Sequence, residues 1–412
     1  MNSEILLTLY LMSAVGIIVL CSKEIQKWKM NLFFLYGTSI LAFPISMSFL
    51  IQTLGVKLGE TTSALFLWTP GVVLGFVILF TTRITNARPE FMLFLAPTFV
   101  ALFNGLYTSQ TSKYPFLFLL LTAPFFFCFS IQDSMNQIKN TFLVNTIAIL
   151  GFHVFSLLLQ SQPSIGRCRI DKCTLFGFVL TPFGEQSNLT SIIFALIFPY
   201  LAFFLKNRQF VWATFFFMIN ATISGGRTGL FAIIGLAVVR LLMHSKSSAE
   251  RKLLFLLLSV GIFLLSFIPV FKSYPNESFT GRGLLWNISR EQIASNFFFG
   301  SGPSFWVRLP EITSLNAFYS SHNLWLELSV STGVVATFCF GIALVSKCWI
   351  GIKENQKMLL YVIYAFLLCG TFESPIMPYR TVQAPGFYIF FLLVLSFNSA
   401  PRILKEDSRD RL

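Results

Sequence analysis

The chain has 412 residues, of which 55% are hydrophobic and only 11% carry a formal charge. This composition is too apolar for a soluble protein of such length and predicts an all-α polytopic membrane protein. The net charge of +13 lies largely in short loops beside apolar segments. It therefore indicates contact with lipid phosphate groups rather than with nucleic acid.

Repeated apolar blocks predict twelve or thirteen transmembrane helices along the chain. The first block follows MNSE and precedes Lys23, Lys27 and Lys29, which favours a retained helix over a cleaved signal peptide. The predicted helices cover residues 5–20, 32–51, 63–81, 91–107, 115–131, 142–160, 188–205, 210–223, 229–243, 253–271, 322–346, 358–373 and 384–398.

The charge distribution predicts the orientation of these helices. When the C-terminal tail PRILKEDSRDRL is cytoplasmic, the loops on its side hold most basic residues, as the positive-inside rule requires. Two long loops then lie outside, at 161–187 and 272–321. The second is large enough for a small helical cap, in which TGRGLLWNISREQIAS predicts an amphipathic helix at the membrane surface with Thr280 as a possible N-cap. Residues 1–412 are predicted to form one membrane domain.

The cysteines and the spans restrict the chemistry. Cys168 and Cys173 share one outer loop, where a disulfide or two free thiols are both compatible with the sequence. No metal-ligand spacing is visible, so neither a metal nor a cofactor is expected. The predicted spans are almost free of ionisable side chains, which counts against an ion-coupled carrier. The exceptions are His153, Arg240, Glu327 and Glu373.

Several basic residues lie on the outer side, against the positive-inside rule. Binding of an anion at the outer leaflet accounts for them, because an arginine fork fits phosphate geometry. The alternative is that these side chains reach lipid headgroups without a specific ligand. They are Arg167, Arg169, Lys172, Arg227 in the turn ISGGRTG, Arg282, Arg290, Arg308 and Arg380.

His322 begins the apolar segment HNLWLELSVSTGVVATF and is the main candidate for a catalytic base. If Ser320 or Ser321 caps the following helix, His322 lies in its first turn, where the positive helix end disfavours imidazolium. A neutral imidazole can accept a proton at pH 7. The alternative is a solvated interfacial histidine. Asn323 is a candidate to orient His322 or a substrate, and Glu327 fits a structural role better.

Three motifs together resemble the O-antigen ligase/polymerase superfamily of bacterial glycan-transfer enzymes. Their order and spacing match over roughly the C-terminal half, and an upstream segment, GEQSNLTSIIFALIFPYL, also fits. The motifs are SGGRTGLFAIIGL (224–236), TGRGLLWNISREQIASNFFFGSGPSFW (280–306) and SSHNLWLELSVSTGVV (320–335). One departure is Ser331, which stands where relatives often have an acidic residue.

The resemblance implies a GT-C-like helical fold in the bacterial inner membrane with an active site facing the periplasm. It implies a metal-independent, inverting glycosyltransferase that takes a glycan from undecaprenyl diphosphate and transfers it to lipid A–core. Arg227 and Arg282 would bind the diphosphate, and His322 would be the base. Arg290, Arg308, Asn323, Arg167 and Arg169 are further candidates for substrate contact.

Two alternatives to an O-antigen ligase stay open at this stage. A polymerase that joins lipid-linked repeat units needs the same anion site on the same face of the membrane. A lipid-linked glycan flippase forms no bond and would need a polar or cationic passage through the spans, which the sequence does not contain.

Overall fold

The computed structural model describes residues 3–24, 32–44, 46–47, 60–81, 89–107, 119–122, 135–159, 165–167, 178–180, 187–243, 246–302, 305–306, 309 and 320–374. The helices are α1 (Ser3–Glu24), α2 (Leu32–Ile40), α3 (Glu60–Thr81), α4 (Pro89–Tyr107), α5 (Met135–Leu159), α6 (Ser187–Phe204), α7 (Asn207–Ile223), α8 (Arg227–Met243), α9 (Ser248–Phe271), α10 (Ser278–Ser295), α11 (Leu324–Lys353) and α12 (Lys357–Phe372). Two strands, β1 (Ile165–Arg167) and β2 (Phe178–Leu180), pair antiparallel.

The described structure is helical as predicted, apart from the short hairpin of β1 and β2. The hairpin lies in the predicted outer loop 161–187 and pairs Arg167 with Phe178. Each strand has three residues, too few for an alternating pattern to be visible in the sequence. The predicted helix at 384–398 and the Cys168–Cys173 pair lie outside the described residues, as does 115–131 except for a helical turn at 119–122.

Helix α12 is the centre of the C-terminal part of the bundle. Its residues from Met358 to Thr371 are all buried. A helix that is apolar on every side is stable in a protein core or in a membrane, where water does not reach it. Helices α6, α8, α9 and α11 pack against it and provide this environment.

The chain directions bring several helix ends to the same end of the bundle. Helix α7 runs toward this end and α8 leaves from it, so Arg227 marks the turn between them. Helix α9 returns to it before α10, α11 leaves from it just after His322, and α12 returns to it at Phe372. Arg227, Arg282 and His322, one from each of the three sequence motifs, therefore lie at this end.

Two of the described helices, α9 and α11, are long and apolar enough to cross a membrane, and several shorter helices are also apolar. Helix α9 is mostly unburied, and apolar side chains cover its outer face. These are Leu253, Leu257, Val260, Leu264, Ile268 and Phe271.

Helix α11 is broken in its middle. Gly333 has non-helical angles, with φ at 79° and ψ at 169°. The segment after α10 fills the break, because Val334 N donates to Phe297 O at 2.9 Å and Ser301 N donates to Val330 O at 2.7 Å. A Cβ atom on Gly333 would lie 2.0 Å from Phe298 O, so only glycine fits here.

Helix α10 packs on the protein instead of merely lying at the membrane surface. Its apolar side chain Leu285 belongs to a small core with Phe305, Trp306 and Val330, and Ile288 packs against that core. The helix begins at Ser278 after the N-cap residue Glu277, so Thr280 lies inside it and is not its N-cap. The earlier start adds Phe279 to the helix, one turn before Arg282.

Candidate functional site

A carboxylate shared by an arginine and a histidine forms the centre of the candidate site. Glu373 follows α12 and is 5% exposed. One of its oxygens accepts a hydrogen bond from Arg282 Nη2, and the other lies 2.6 Å from His322 Nδ1. The His322 side chain is 27% exposed, against 16% for Arg282 and 7% for Glu373. The imidazole is thus the member of the group most open to an incoming molecule.

The contact with Glu373 determines which imidazole nitrogen can act as a base. An ionised carboxylate only accepts hydrogen bonds, so it stabilises the tautomer with a proton on Nδ1. In that neutral tautomer Nε2 carries the lone pair. A partner on Nδ1 also fixes the plane of the ring. His322 is therefore oriented to accept a proton through Nε2.

The turn that holds His322 is fixed by buried polar groups on both of its sides. Ser321 donates from its backbone N and its Oγ to Glu327 Oε2, at 2.8 and 3.0 Å. Glu327 is fully buried and has the structural role that its position in the sequence favours. His322 itself has a φ of 51°, in the left-handed region. Such strain at a non-glycine residue persists only where its surroundings impose it.

His322 lies before α11 and not in its first turn. The N-cap is Asn323, whose Oδ1 accepts from the backbone N of Trp325 and of Leu326, both at 3.1 Å. Neither Ser320 nor Ser321 is the cap. The expectation that His322 lies in the first turn of the helix, where the N-terminus would disfavour imidazolium, is therefore wrong. The group that contacts the ring is Glu373.

Asn323 is fully buried, and both ends of its amide are occupied. Besides capping α11, its Nδ2 donates to the carbonyl oxygens of Ser266, Gly370 and Thr371, at 3.0 to 3.3 Å. An amide engaged in this way has no free group for a substrate. Its position does not fit the predicted substrate contact, and Asn323 instead joins α9 and α12 to the start of α11.

We expect Asn323→Ala to lower the free energy of unfolding by about 2 kcal/mol or more, since a cap is worth about 1 kcal/mol and buried carbonyls would lose their donor. Thermal unfolding of the purified protein in detergent measures this. Asn323→Ser is the matched control because its hydroxyl can still cap α11 while it loses the Nδ2 donors. It should fall between wild type and Asn323→Ala, and equal stability of all three would contradict this role.

Arg227 begins α8 and is exposed. Its guanidinium makes no hydrogen bond or ion pair with any residue that the structure describes. One turn further, the Phe231 ring lies 5.9 Å from Phe372, which precedes Glu373. Phe372 in turn lies 5.7 Å from Phe279, one turn before Arg282. A row of aromatic rings therefore connects the helix turns that carry the two arginines.

Gly229 allows α8 to approach α6 closely at this end. A Cβ atom there would lie 2.2 Å from Ser191 O. Gly229, two residues after Arg227, thus serves helix packing, which brings the start of α8 against the bundle.

Arg290 has a structural role in this arrangement. Its Nη1 donates to Pro269 O at 2.6 Å and to Lys272 O at 2.9 Å, and its Nη2 donates to Asn287. Partial burial lowers the pKa of the Arg290 guanidinium below its ordinary value. These bonds connect α10 to the end of α9, and the predicted substrate contact does not fit a guanidinium engaged with carbonyls.

The remaining residues predicted to contact substrate are Arg167, Arg169 and Arg308. Arg308 and Arg169 lie outside the described residues. Arg167 ends β1, and only its backbone is described. No group of three or more His, Cys, Asp and Glu side chains that could hold a metal ion occurs within the described parts of the chain.

Comparison with known protein families identifies the segment that builds this site. The sequence model of a family described as O-antigen ligase matches residues 212–341. This segment belongs to the O-antigen ligase superfamily. No curated protein and no solved structure matches the chain.

The O-antigen ligase segment contains Arg227, Arg282 and His322, and the match confirms the resemblance that the three motifs indicate. Glu373 lies beyond the segment, and sequence reasoning did not assign it a role. A signal for it existed, since it is one of few ionisable residues near a predicted span. Ser331, at the position where relatives often have an acid, is buried, and its Oγ makes no hydrogen bond within the described part of the chain.

Proposed function

We propose that this chain is an O-antigen ligase that transfers a glycan from undecaprenyl diphosphate to lipid A–core. The observation that carries the proposal is the group of Arg282, Glu373 and His322 within and beside a segment of the O-antigen ligase superfamily. The group offers what such a transfer needs: a base for the acceptor and a cation for the leaving diphosphate.

The proposed reaction is a direct displacement at the anomeric carbon. An acceptor hydroxyl attacks this carbon while His322 Nε2 takes its proton, and the bond from the carbon to the diphosphate oxygen breaks. Arg227 and Arg282 stabilise the negative charge that grows on the diphosphate. A single displacement inverts the configuration at the anomeric carbon. Glu373 holds the imidazole and stabilises the imidazolium that forms.

Glu373 contacts both Arg282 and His322, and this arrangement suggests how binding of the donor prepares the base. Without donor, the Glu373 carboxylate divides its interactions between Arg282 and His322. A diphosphate that binds to Arg282 competes with the carboxylate for the guanidinium. The carboxylate is then free to accept from Nδ1 alone, which holds the ring with Nε2 directed toward the acceptor. In this scheme donor binding activates the base.

The exposed apolar surface supports a polytopic protein in the bacterial inner membrane, with a GT-C-like helical fold in a single domain spanning residues 1–412. Monomeric soluble proteins rarely expose continuous apolar surface of this kind. The outer face of α9 and exposed side chains of α11 such as Phe338 and Trp349 form it. In the proposed orientation, the end of the bundle with His322 faces the periplasm and α10 belongs to its helical cap.

Reconstitution of the purified protein into vesicles with lipid-linked glycan, with and without lipid A–core, tests the function. A ligase should form glycosylated lipid A–core and release undecaprenyl diphosphate only when the acceptor is present. Longer lipid-linked chains formed without acceptor would instead identify a polymerase. Movement of the donor across the bilayer with no new bond would contradict both enzymes and indicate a flippase.

We expect Arg227→Ala and Arg282→Ala each to weaken donor binding by about 10- to 100-fold, the size of one charge-assisted hydrogen bond to phosphate. Binding of a lipid diphosphate to protein in nanodiscs measures this. Arg208→Ala is the matched control because Arg208 is exposed at the opposite end of the bundle. Equal affinity of the Arg282 variant and the control would exclude Arg282 from the donor site.

A further inference from the structure

A second group of basic residues lies at the end of the bundle opposite His322. Helices α9 and α12 both begin there and run side by side in parallel. The Phe255 and Tyr361 rings lie 6.5 Å apart, and one turn further Tyr364 Oη donates to Phe255 O at 2.8 Å and lies 2.7 Å from Ser259 Oγ. These contacts fix the register of the two helices.

This register brings Arg251 and Lys357 to the same level. Arg251 is four residues before Phe255, and Lys357 is four residues before Tyr361, so each cation lies one turn nearer its helix start. The charge of Arg251 acts on Lys357, and so does that of Arg240 at the end of α8. Cations from α8, α9 and α12 therefore meet at this end.

Two acidic residues that the structure describes near these cations, Glu250 and Glu354, have other partners. Glu250 accepts a hydrogen bond from Ser247 N at 2.8 Å as part of the cap of α9. Glu354 accepts one from Gln356 Nε2 at 2.6 Å. Neither Arg251 nor Lys357 forms an ion pair with any residue that the structure describes. Cations that lie close together repel one another, and an anion that binds between them removes this repulsion.

Polar groups without a partner point to the same place. The Arg251 Nε atom is buried and has no hydrogen-bond partner among the residues that the structure describes. Tyr361 is 3% exposed, and its hydroxyl makes no hydrogen bond with the described part of the chain. The charges of Arg240 and Arg251 both act on this tyrosine. Helix α12 also begins with no acidic residue in its first turn and no side-chain cap from Gln356.

We propose that Arg251, Lys357 and Tyr361 form a binding site for a phosphate group carried by an anionic phospholipid. The two side chains supply cationic donors, the tyrosine supplies a neutral donor one turn deeper, and the start of α12 adds its helix dipole. The Arg240 guanidinium donates to the carbonyl oxygens of Ala202 and Leu205. It does not bind the phosphate in this proposal, but its positive charge adds to that of the site. The site depends on the membrane placement proposed above but not on glycan transfer.

The phosphate would lie far from the His322 group. Helix α12 separates the two, and its 16 residues span about 24 Å. In the proposed orientation the site faces the cytoplasmic leaflet, where anionic headgroups are attracted to basic segments. A lipid bound here would join the starts of α9 and α12, and α12 ends beside Glu373.

Native mass spectrometry of the full chain, released from nanodiscs containing equal amounts of phosphatidylglycerol and phosphatidylcholine, tests the proposal. We expect wild type to retain phosphatidylglycerol preferentially. The double variant Arg251→Gln/Lys357→Gln should retain about tenfold less, and Tyr361→Phe about threefold less, because they lose charged and neutral hydrogen bonds respectively. The matched control is Lys252→Gln/Lys353→Gln, which removes two exposed cations at the same end and should behave like wild type.

Thermal unfolding gives a second measurement that does not depend on retention in the gas phase. Added phosphatidylglycerol should raise the Tm of wild type and of the control pair but not of Arg251→Gln/Lys357→Gln. Equal lipid retention and an equal rise in Tm for all variants would overturn the proposal. Displacement of the lipid by millimolar inorganic phosphate would overturn the lipid assignment. Glycan transfer is assayed separately, so a failure here leaves the proposed enzyme activity untouched.

Discussion

His322→Ala should lower the rate of glycan transfer by about 10²- to 10⁴-fold, the usual contribution of a positioned general base. The side chain is the most exposed member of its group and presents Nε2 outward while Glu373 holds Nδ1. The loss should appear in kcat, because the base acts on the acceptor proton only as the bond forms. Single-turnover assays with saturating lipid-linked donor measure it.

Donor binding and membrane insertion serve as controls for the His322 variant. Affinity for the lipid diphosphate should stay within about threefold of wild type, since Arg227 and Arg282 remain. His322→Gln is a second variant that keeps polarity near Glu373 but has no basic nitrogen, and it should be as slow as His322→Ala. Transfer at near the wild-type rate by either variant would exclude His322 as the base.

Local features of the fold could be predicted from the sequence because they depend on nearby residues. The predicted helix at 358–373 corresponds to Lys357–Phe372, and the one at 229–243 corresponds to Arg227–Met243. Arg282 and His322 stand out in the sequence as an outer arginine and an interfacial histidine in a chain with few charges. Glu373 also stands out in the sequence as a carboxylate at the end of an apolar segment, although the sequence does not show which residues it contacts.

Features that depend on distant residues could not be predicted. Glu373 and His322 are separated by 51 positions, and the whole of α11 and α12 lies between them. Their contact exists because these two helices pack as an antiparallel pair, which charge patterning does not specify. The break at Gly333 has the same origin, since the apolar run around it continues and the stabilising bonds come from Phe297 and Ser301.

The structure also changes the account of how His322 is prepared to accept a proton. The sequence suggested that a helix N-terminus and nearby arginines act on His322. In the structure Asn323 caps that helix, and a carboxylate contacts the ring instead. Arg282 contacts the same carboxylate, Glu373, and thereby connects the base to the proposed donor site. The two roles assigned separately to Arg282 and His322 are thus joined through Glu373.

Glu373→Gln should lower kcat by about 10- to 100-fold, the cost typical of losing a group that orients a catalytic ligand or base. Glutamine has nearly the same shape, but its neutral amide cannot stabilise imidazolium or pair with Arg282. We therefore expect the loss to appear in kcat at saturating donor, expressed per molecule of folded enzyme. Single-turnover rates at saturating donor measure it.

Comparison of Glu373→Gln with Glu373→Asp and Arg282→Ala separates positioning from structure. Glu373→Asp keeps the charge and should recover part of the rate lost in Glu373→Gln. Arg282→Ala should weaken donor binding while it leaves the carboxylate beside His322. If Glu373 had a purely structural role, Glu373→Gln would lower the Tm and the amount of folded enzyme but would leave kcat per folded molecule unchanged. An unchanged kcat per folded molecule in Glu373→Gln would therefore contradict the proposed link between the carboxylate and the base.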